Sequence, residues 1–340
     1  MTNVRTRTRI AAVAGTAALA LALSACGGVK NGSSSGGDAS GGSDYPGKSI
    51  QMTVGASAGG SSDLISRAMS KGMGQSLGVA MPVVNKPGAN GALVAKELQK
   101  ASPDGYSIAI QNASLFAITP LAVSGSEAVK VDDFDIVYGV SRDDYVLVTN
   151  PKTGWKTVAD MKSAGRTIRY GTTGVGTGAQ LNSALTFATA GIKATAVPFD
   201  GGAPNLTALL GAQVDVSTMQ VGEAIENIRA GKLVPLAVFS AERVKYLPDV
   251  PTAKEQGFDV QVSQYRFITT PKGTPQAVKD KLVAAAKKTF ASDEYKKFNE
   301  ANNLTPLEVP GSEVASKLKD DLASNTAKLK QFGISLASNG

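Results

Sequence analysis

Short β-prone runs alternate with helical stretches along most of this 340-residue chain, and that rhythm limits the fold to α/β architecture built on parallel strands. A strand over 50–54 is broken by Gly55-Ala56-Ser57-Ala58-Gly59-Gly60-Ser61-Ser62 before a helix predicted from about Asp63 to Leu77. Residues 81–85, 91–100 and 107–111 repeat the rhythm, with Pro87-Gly88-Ala89-Asn90-Gly91 and Pro103-Asp104-Gly105 as turns. Strands follow over 134–140 and 145–148. After Asn150-Pro151 a second series begins: helix 157–164, strand 167–170, a loop at 171–176 and a helix from about Thr177 to Thr189. Strand 194–197, helix 205–210, strand 214–218, helix 222–230 and strand 233–239 complete it.

The C-terminal part reads as helical. Val278, Leu282, Ala286 and Phe290 recur at i+4, and Val314, Leu318 and Leu322 repeat that spacing. Such stripes need a partner, so the tail is expected to pack back on the first half of the chain. One domain interrupted by another follows: lobe I from 45–145 and 266–340, lobe II from 146–265, with a hinge where the chain crosses near 145 and 265. Trp155, beside the expected junction, would report closure by fluorescence or simply cap a core.

The N-terminus points outside the cytoplasm. Arg5, Arg7 and Arg9 precede an apolar run over 10–23, which ends in Leu23-Ser24-Ala25-Cys26. A basic start, a short hydrophobic run and a small-residue cleavage site make a secretory leader, too short and wrongly flanked to span a membrane. The ending resembles a bacterial lipobox, in which Cys26 is acylated and becomes the mature N-terminus. The bland alternative is an ordinary signal peptide with a coincidental cysteine. Residues 1–25 are thus read as a lipoprotein signal peptide and 26–44 as a Gly/Ser-rich tether with a root-mean-square reach of roughly 20 to 25 Å.

Absences exclude whole classes of chemistry. There is no histidine, and Cys26 is the only cysteine. Ser-His-Asp and Cys-His catalysis, His-ligated metals, disulfides and the usual general base near neutrality are therefore gone, and no cofactor, metal or enzymatic activity is expected. Losing the three leader arginines leaves 32 basic against 28 acidic residues, lowering the formal charge from +7 to +4. No basic block interleaved with aromatics appears, so nucleic acid is a poor partner. No apolar stretch of spanning length follows the leader.

Two loops carry the chemistry. Each is Gly-rich, follows a strand and opens a helix: 56–62 in the first half and 172–177 in the second. Glycine lets backbone approach a ligand, and the unpaired amides and dipole of a helix start favour negative charge. In open α/β sheets ligands bind beyond the carboxyl ends of the strands, where both loops must lie. Facing each other across a cleft, they would clamp a small anion without a basic side chain. The bland reading is two tight turns.

Many short motifs then fall in the order of one family. Tyr45-Pro46-x-Lys48-x-Ile50, Ala58-Gly59-Gly60-x-x-Asp63, Val84-Asn85-Lys86-Pro87-Gly88-Ala89-x-Gly91 and Pro103-Asp104-Gly105-Tyr106 come first. Tyr170-Gly171-Thr172-Thr173-Gly174-x-Gly176-Thr177, Leu209-Leu210-Gly211-Ala212-Gln213-Val214-Asp215 and Arg229-Ala230-Gly231-Lys232-Leu233 follow. Arg243, Leu247-Pro248-Asp249-Val250-Pro251-Thr252 and Pro271-x-Gly273-Thr274-Pro275 close the set. From Tyr45 to about Phe332 the chain resembles the extracytoplasmic solute-binding receptors of tripartite tricarboxylate transporters, the Bug or TctC-type proteins. The resemblance implies a two-lobed type II periplasmic-binding-protein fold with a hinge and interlobe cleft. It also implies a small organic acid ligand, often a di- or tricarboxylate or another organic acid, and membrane permease subunits as partners. Carried over by position, ligand contacts fall at Ser57, Ala58, Gly59, Gly60 and Ser61, at Thr173, Gly174, Val175, Gly176 and Thr177, with Asn112, Ser114, Phe199, Asp200 and Gly201 lining the remaining wall.

The chain departs from the family pattern at Ala56, Gln180 and Phe199-Asp200-Gly201, where Pro, His and a Tyr-Lys-Gly turn are usual. Asp200, if it faces the cleft, would repel a second carboxylate or welcome an amine; otherwise it is a turn residue or helix cap. Asp63 reads more simply as a first-turn helix acid than as a ligand contact, and Arg243 as a solvated or ion-paired arginine. A rival class is a dinucleotide-binding oxidoreductase, since Gly174-x-Gly176-x-x-Ala179 is followed by Asp200 at the spacing of a ribose-binding acid. A ligand sensor without a transporter, or a purely structural lipoprotein, would share the same sequence features.

Overall fold

The computed structural model describes residues 44–337; the leader, Cys26 and nearly all of the tether lie outside the described residues. The chain opens with β1 (Gln51–Val54), α1 (Ser61–Leu77), β2 (Val83–Asn85), α2 (Ala92–Leu98), β3 (Ser107–Asn112) and α3 (Ala113–Ala117), then β4 (Phe134–Asp143). It continues with β5 (Tyr145–Thr149), α4 (Val158–Lys162), β6 (Ile168–Thr172), α5 (Gly178–Ala190), β7 (Ala194–Pro198), α6 (Gly202–Leu210), β8 (Val216–Gln220), α7 (Val221–Arg229) and β9 (Val234–Val238). It ends with β10 (Gln264–Pro271), α8 (Gln276–Ala291), α9 (Asp293–Ala301), β11 (Thr305–Pro306) and α10 (Gly311–Phe332).

These strands form two sheets, and the fold is a two-lobed α/β one. The first sheet has the order β11-β4-β10-β3-β1-β2 and the second β7-β6-β8-β5-β9. Only Asp144 separates β4 in the first from β5 in the second. The chain returns between β9 and β10. The sheets are mixed rather than purely parallel: β1, β2 and β3 are parallel, as are β6, β7 and β8, but β10 runs antiparallel to β3 and β4, and β5 antiparallel to β8 and β9. The antiparallel strands β5 and β10 are those that follow the crossings.

Every residue of β5 and of β10 is buried, which suits central strands covered on both faces. α8 packs on α1 and β4 through Val278, Leu282, Ala286 and Phe290. α10 packs on β4 and α3, and also touches α5 beside the second sheet. Its first residue, Gly311, lies so close to β4 that an added Cβ would fall 1.9 Å from the Ile136 carbonyl oxygen. Only glycine permits that approach. The sequence pattern missed β10 altogether, because a strand buried on both faces shows no alternation. Among the described residues, no helix is long and apolar enough to cross a membrane, and no group of acids or cysteine could hold a metal ion.

Candidate functional site

Both Gly-rich bends follow the carboxyl ends of parallel strands, the first after β1 and the second after β6. The first starts with Gly55, packed so closely on Gly91 that an added Cβ would lie 2.4 Å from its Cα. Ser57, Ala58 and Gly59 are exposed, and Gly59 takes a left-handed φ of 83°. Gly60 caps α1 and donates its amide to Ser57 O, 3.3 Å. The amides of Ser61 and Ser62 open the helix, where no preceding turn can accept from them.

Asp63 holds this bend in shape. Its carboxylate accepts from the Gly59 amide (2.9 Å), the Asn85 side chain (2.8 Å) and Arg67 Nε (3.1 Å), while Asn85 also donates to Ala56 O at 3.0 Å. Burial would raise its pKa, but Arg67, the Gly59 amide and Asn85 outweigh it and hold the carboxyl below the usual range. It is a first-turn acid that shapes the loop.

The second bend is more enclosed. Thr177 caps α5, accepting from the Gln180 amide and donating to Gly174 O at 2.8 Å. Gly176 donates its amide to Gln180 Oε1 at 2.7 Å, and its carbonyl accepts from Thr119 Oγ1 at 3.0 Å. An added Cβ at Gly176 would lie 2.8 Å from Thr119 Cα, so this glycine serves packing between the second bend and the short turn Thr119–Leu121. The Gly176 amide, which a dinucleotide fingerprint would turn toward a pyrophosphate, is taken by Gln180, which counts against that fingerprint. Thr173 and Val175, half-buried, make no hydrogen bond of these kinds.

Asn112 and Ser114 are bound into an internal network. Asn112 caps α3 through Leu115 N at 3.0 Å and accepts from Ser114 Oγ at 2.7 Å; Ser114 Oγ also accepts from Asn90 at 2.9 Å and Gln264 at 3.3 Å. Phe199 donates its amide to Thr172 O, and Gly201, with φ of 100°, leads into α6. Asp200 between them is exposed and makes no hydrogen bond among the described residues. No hydrogen bond among the described residues joins 57–60 to 173–175; the two bends meet other elements across the boundary between the sheets.

Two side chains that the sequence pattern did not single out lie at that boundary. Arg266 on β10 is 2% exposed. Its Nε donates to Ser62 Oγ (2.7 Å), Nη1 to Asp143 and Ser141, and Nη2 to Gln220 Oε1 (3.1 Å) at the end of β8. A lone arginine within the apolar run 265–268 was the available signal. Glu223, in the first turn of α7, lies against α6: a Cβ on Gly202 would fall 2.3 Å from its Oε2 and 2.5 Å from Oε1. Burial pushes its pKa up to about 7 and Asp143 adds to this, while Arg266, the Gln220 amide and the Ser61 side chain oppose. Tyr145, also against Arg266 and Glu223, sits over the start of α5, 2.7 Å from a Cβ built on Gly178.

The other face of β10 bounds a cavity of about 520 Å³, lined by Tyr265, Ser114, residues 239–246 and 261–263, and Lys317, Asp321 and Asn325 of α10. Its cations are largely paired: Arg243 with Glu255 at 3.0 Å, Lys317 with Asp321 at 3.0 Å and Arg142 with Asp144 at 3.7 Å. Of the expected contacts, only Ser114 borders it. Trp155 faces Arg166 at 5.9 Å and packs half-buried against the core, at the opposite end of β6 from the second bend.

The profile of the tripartite tricarboxylate transporter family receptor matches residues 65–334. A protein of Agrobacterium vitis from the TAR-I ttuE-ttuC' intergenic region is 32% identical over 72% of this chain and 71% of its own length. The solved structure of a periplasmic transporter is 28% identical with a TM-score of 0.80, covering 86% of this chain and 99% of that one. That of the periplasmic binding protein BugD is 26% identical with a TM-score of 0.79 and the same coverage.

Asp63 generates a pH prediction. Its folded pKa lies below the unfolded value, so its stabilisation is present above about pH 4 and lost as pH falls through the folded value. Asp63→Asn should cost about 1.5–3 kcal/mol at pH 7 in denaturant unfolding, with the gap to the unmodified protein narrowing below about pH 4.

Proposed function

The chain belongs to the tripartite tricarboxylate transporter receptor family, and on that premise we propose that it captures a small organic carboxylate between its two sheets and presents it to membrane permease subunits. The family is one of solute-binding receptors, not of enzymes. The observation that carries the proposal is the pair of strand-to-helix bends at the sheet boundary, one open at Ser57–Gly59 and one half-buried at Thr173–Val175. The amides of Ser57, Ala58, Thr173 and Val175, with those opening α1 and α5, would donate to a carboxylate in place of water. Each hydrogen bond to a charged group contributes about 1.5–3 kcal/mol, so four to six, less the cost of association, suffice for roughly micromolar affinity. Lobe closure would complete the clamp, with lobe boundaries near 145 and 265 as the hinge. The lipobox-like Leu23-Ser24-Ala25-Cys26 supports an extracytoplasmic receptor held to the membrane by an acylated Cys26.

Gly60 gives a clean test of the clamp. Its φ of −77° suits any residue, and an added Cβ meets only Ser57 O at 3.4 Å. In a thermal-shift screen of organic acids, a bound acid at about 100 times its Kd raises stability by about 2.7 kcal/mol. Gly60→Val should weaken the best acid at least about tenfold by calorimetry while the unliganded melting temperature stays within about 2 °C; unchanged affinity would refute the clamp. For the anchor, Cys26→Ser should move the protein from the detergent-dependent membrane fraction to the soluble one, and continued membrane retention would contradict it.

A further inference from the structure

Capture of a plain anion leaves Glu223 unexplained. Its Oε2 is buried and has no hydrogen-bond partner among the described residues. The Gln220 cap amide and the Ser61 side chain both approach the carboxylate, yet neither lies within hydrogen-bond reach of Oε2. The nearest cation does not neutralise it. Arg266 has Nε, Nη1 and Nη2 engaged by Ser62, Asp143 with Ser141, and Gln220, and Asp143 already balances its charge. Asp143 Oδ1 is itself without a partner, so two buried carboxylate oxygens of the cluster lack a donor among the described residues. An unmet buried acceptor of this kind costs free energy that a bound donor would recover.

Placement makes this a ligand question. Glu223 faces Ser61, the first residue of α1, and abuts Gly202, the first residue of α6. A group bound to Glu223 would therefore sit beside the amides proposed to hold the ligand's carboxylate. We propose that Glu223 sets specificity in this cleft, accepting from a protonated amine so that amino-bearing organic acids bind in preference to their deaminated parents. The proposal rests on carboxylate capture at the same cleft. It moves the selecting acid from Asp200, which is exposed and bonded to nothing among the described residues, to a side chain between the helix starts. A second carboxylate of a plain diacid would bring Oε2 no donor and would meet the ionised form of Glu223 as a like charge.

Calorimetry with matched acids tests it. Glutamate against glutarate, and 4-aminobutyrate against butyrate, would be titrated into the full chain, Glu223→Gln and Glu223→Ala, with thermal melts to establish folding. The unmodified protein should favour the amine-bearing member of whichever pair it binds by about tenfold or more, the strength of one charge-assisted hydrogen bond. Both variants should bring that ratio to within about threefold by weakening the amine-bearing acid, not the plain one. Equal affinity for both members, preference for the plain acid, or a ratio unchanged in the folded variants overturns the role of Glu223 while leaving carboxylate capture standing. Failure of every acid to bind the unmodified protein overturns both.

Discussion

One buried guanidinium organises the boundary between the two sheets. Arg266 projects from β10 of the first sheet and bonds at once to Asp143 and Ser141 on β4, to Ser62 in the first turn of α1 and to Gln220 at the end of β8 in the second sheet. A buried ion pair is weak evidence for stability, because its desolvation offsets its attraction. Its consequence is positional: removing one partner leaves an uncompensated charge, so the groups that satisfy Arg266 are held in register. The start of α1 and the end of β8 are thereby fixed relative to each other.

Around that anchor the helix starts converge. Ser61 opens α1, Gly178 opens α5 under the Tyr145 ring, Gly202 opens α6 against Glu223, and Glu223 stands in the first turn of α7. Four such termini bring partial positive charge to one region, which suits an anion. The same region already contains Asp143 and Glu223, and burial raises Glu223 despite the dipoles. The region is therefore of mixed sign: helix-start amides beside a buried carboxylate oxygen that no donor meets among the described residues. The second bend is joined to the first sheet's layer by Thr119 and Asn90 on the Gly176 carbonyl, which makes Gly176 a contact between layers and leaves Thr173 and Val175 as its open amides.

Much of this was legible in the chain because the features are local. Both Gly-rich bends fall where glycine, strand and helix signals meet, and α1 begins at Ser61, two residues before the expected Asp63. What the pattern hid is what depends on distant partners. β10 shows no period because it is covered on both faces, and the antiparallel direction of β5 and β10 follows from where the chain re-enters each sheet. Arg266 and Glu223 look like ordinary charges in sequence; burial by elements far along the chain gives them meaning. Asp200 was conspicuous by its departure from the family turn, and it is exposed.

A crystal structure of the protein with the tightest organic acid from the screen tests capture between the sheets most directly. The ligand carboxylate should lie about 2.7–3.1 Å from amide nitrogens of both bends, within 57–62 and 173–178. A carboxylate bound instead in the 520 Å³ cavity on the other face of β10, or held by side-chain cations with neither bend in contact, would contradict it.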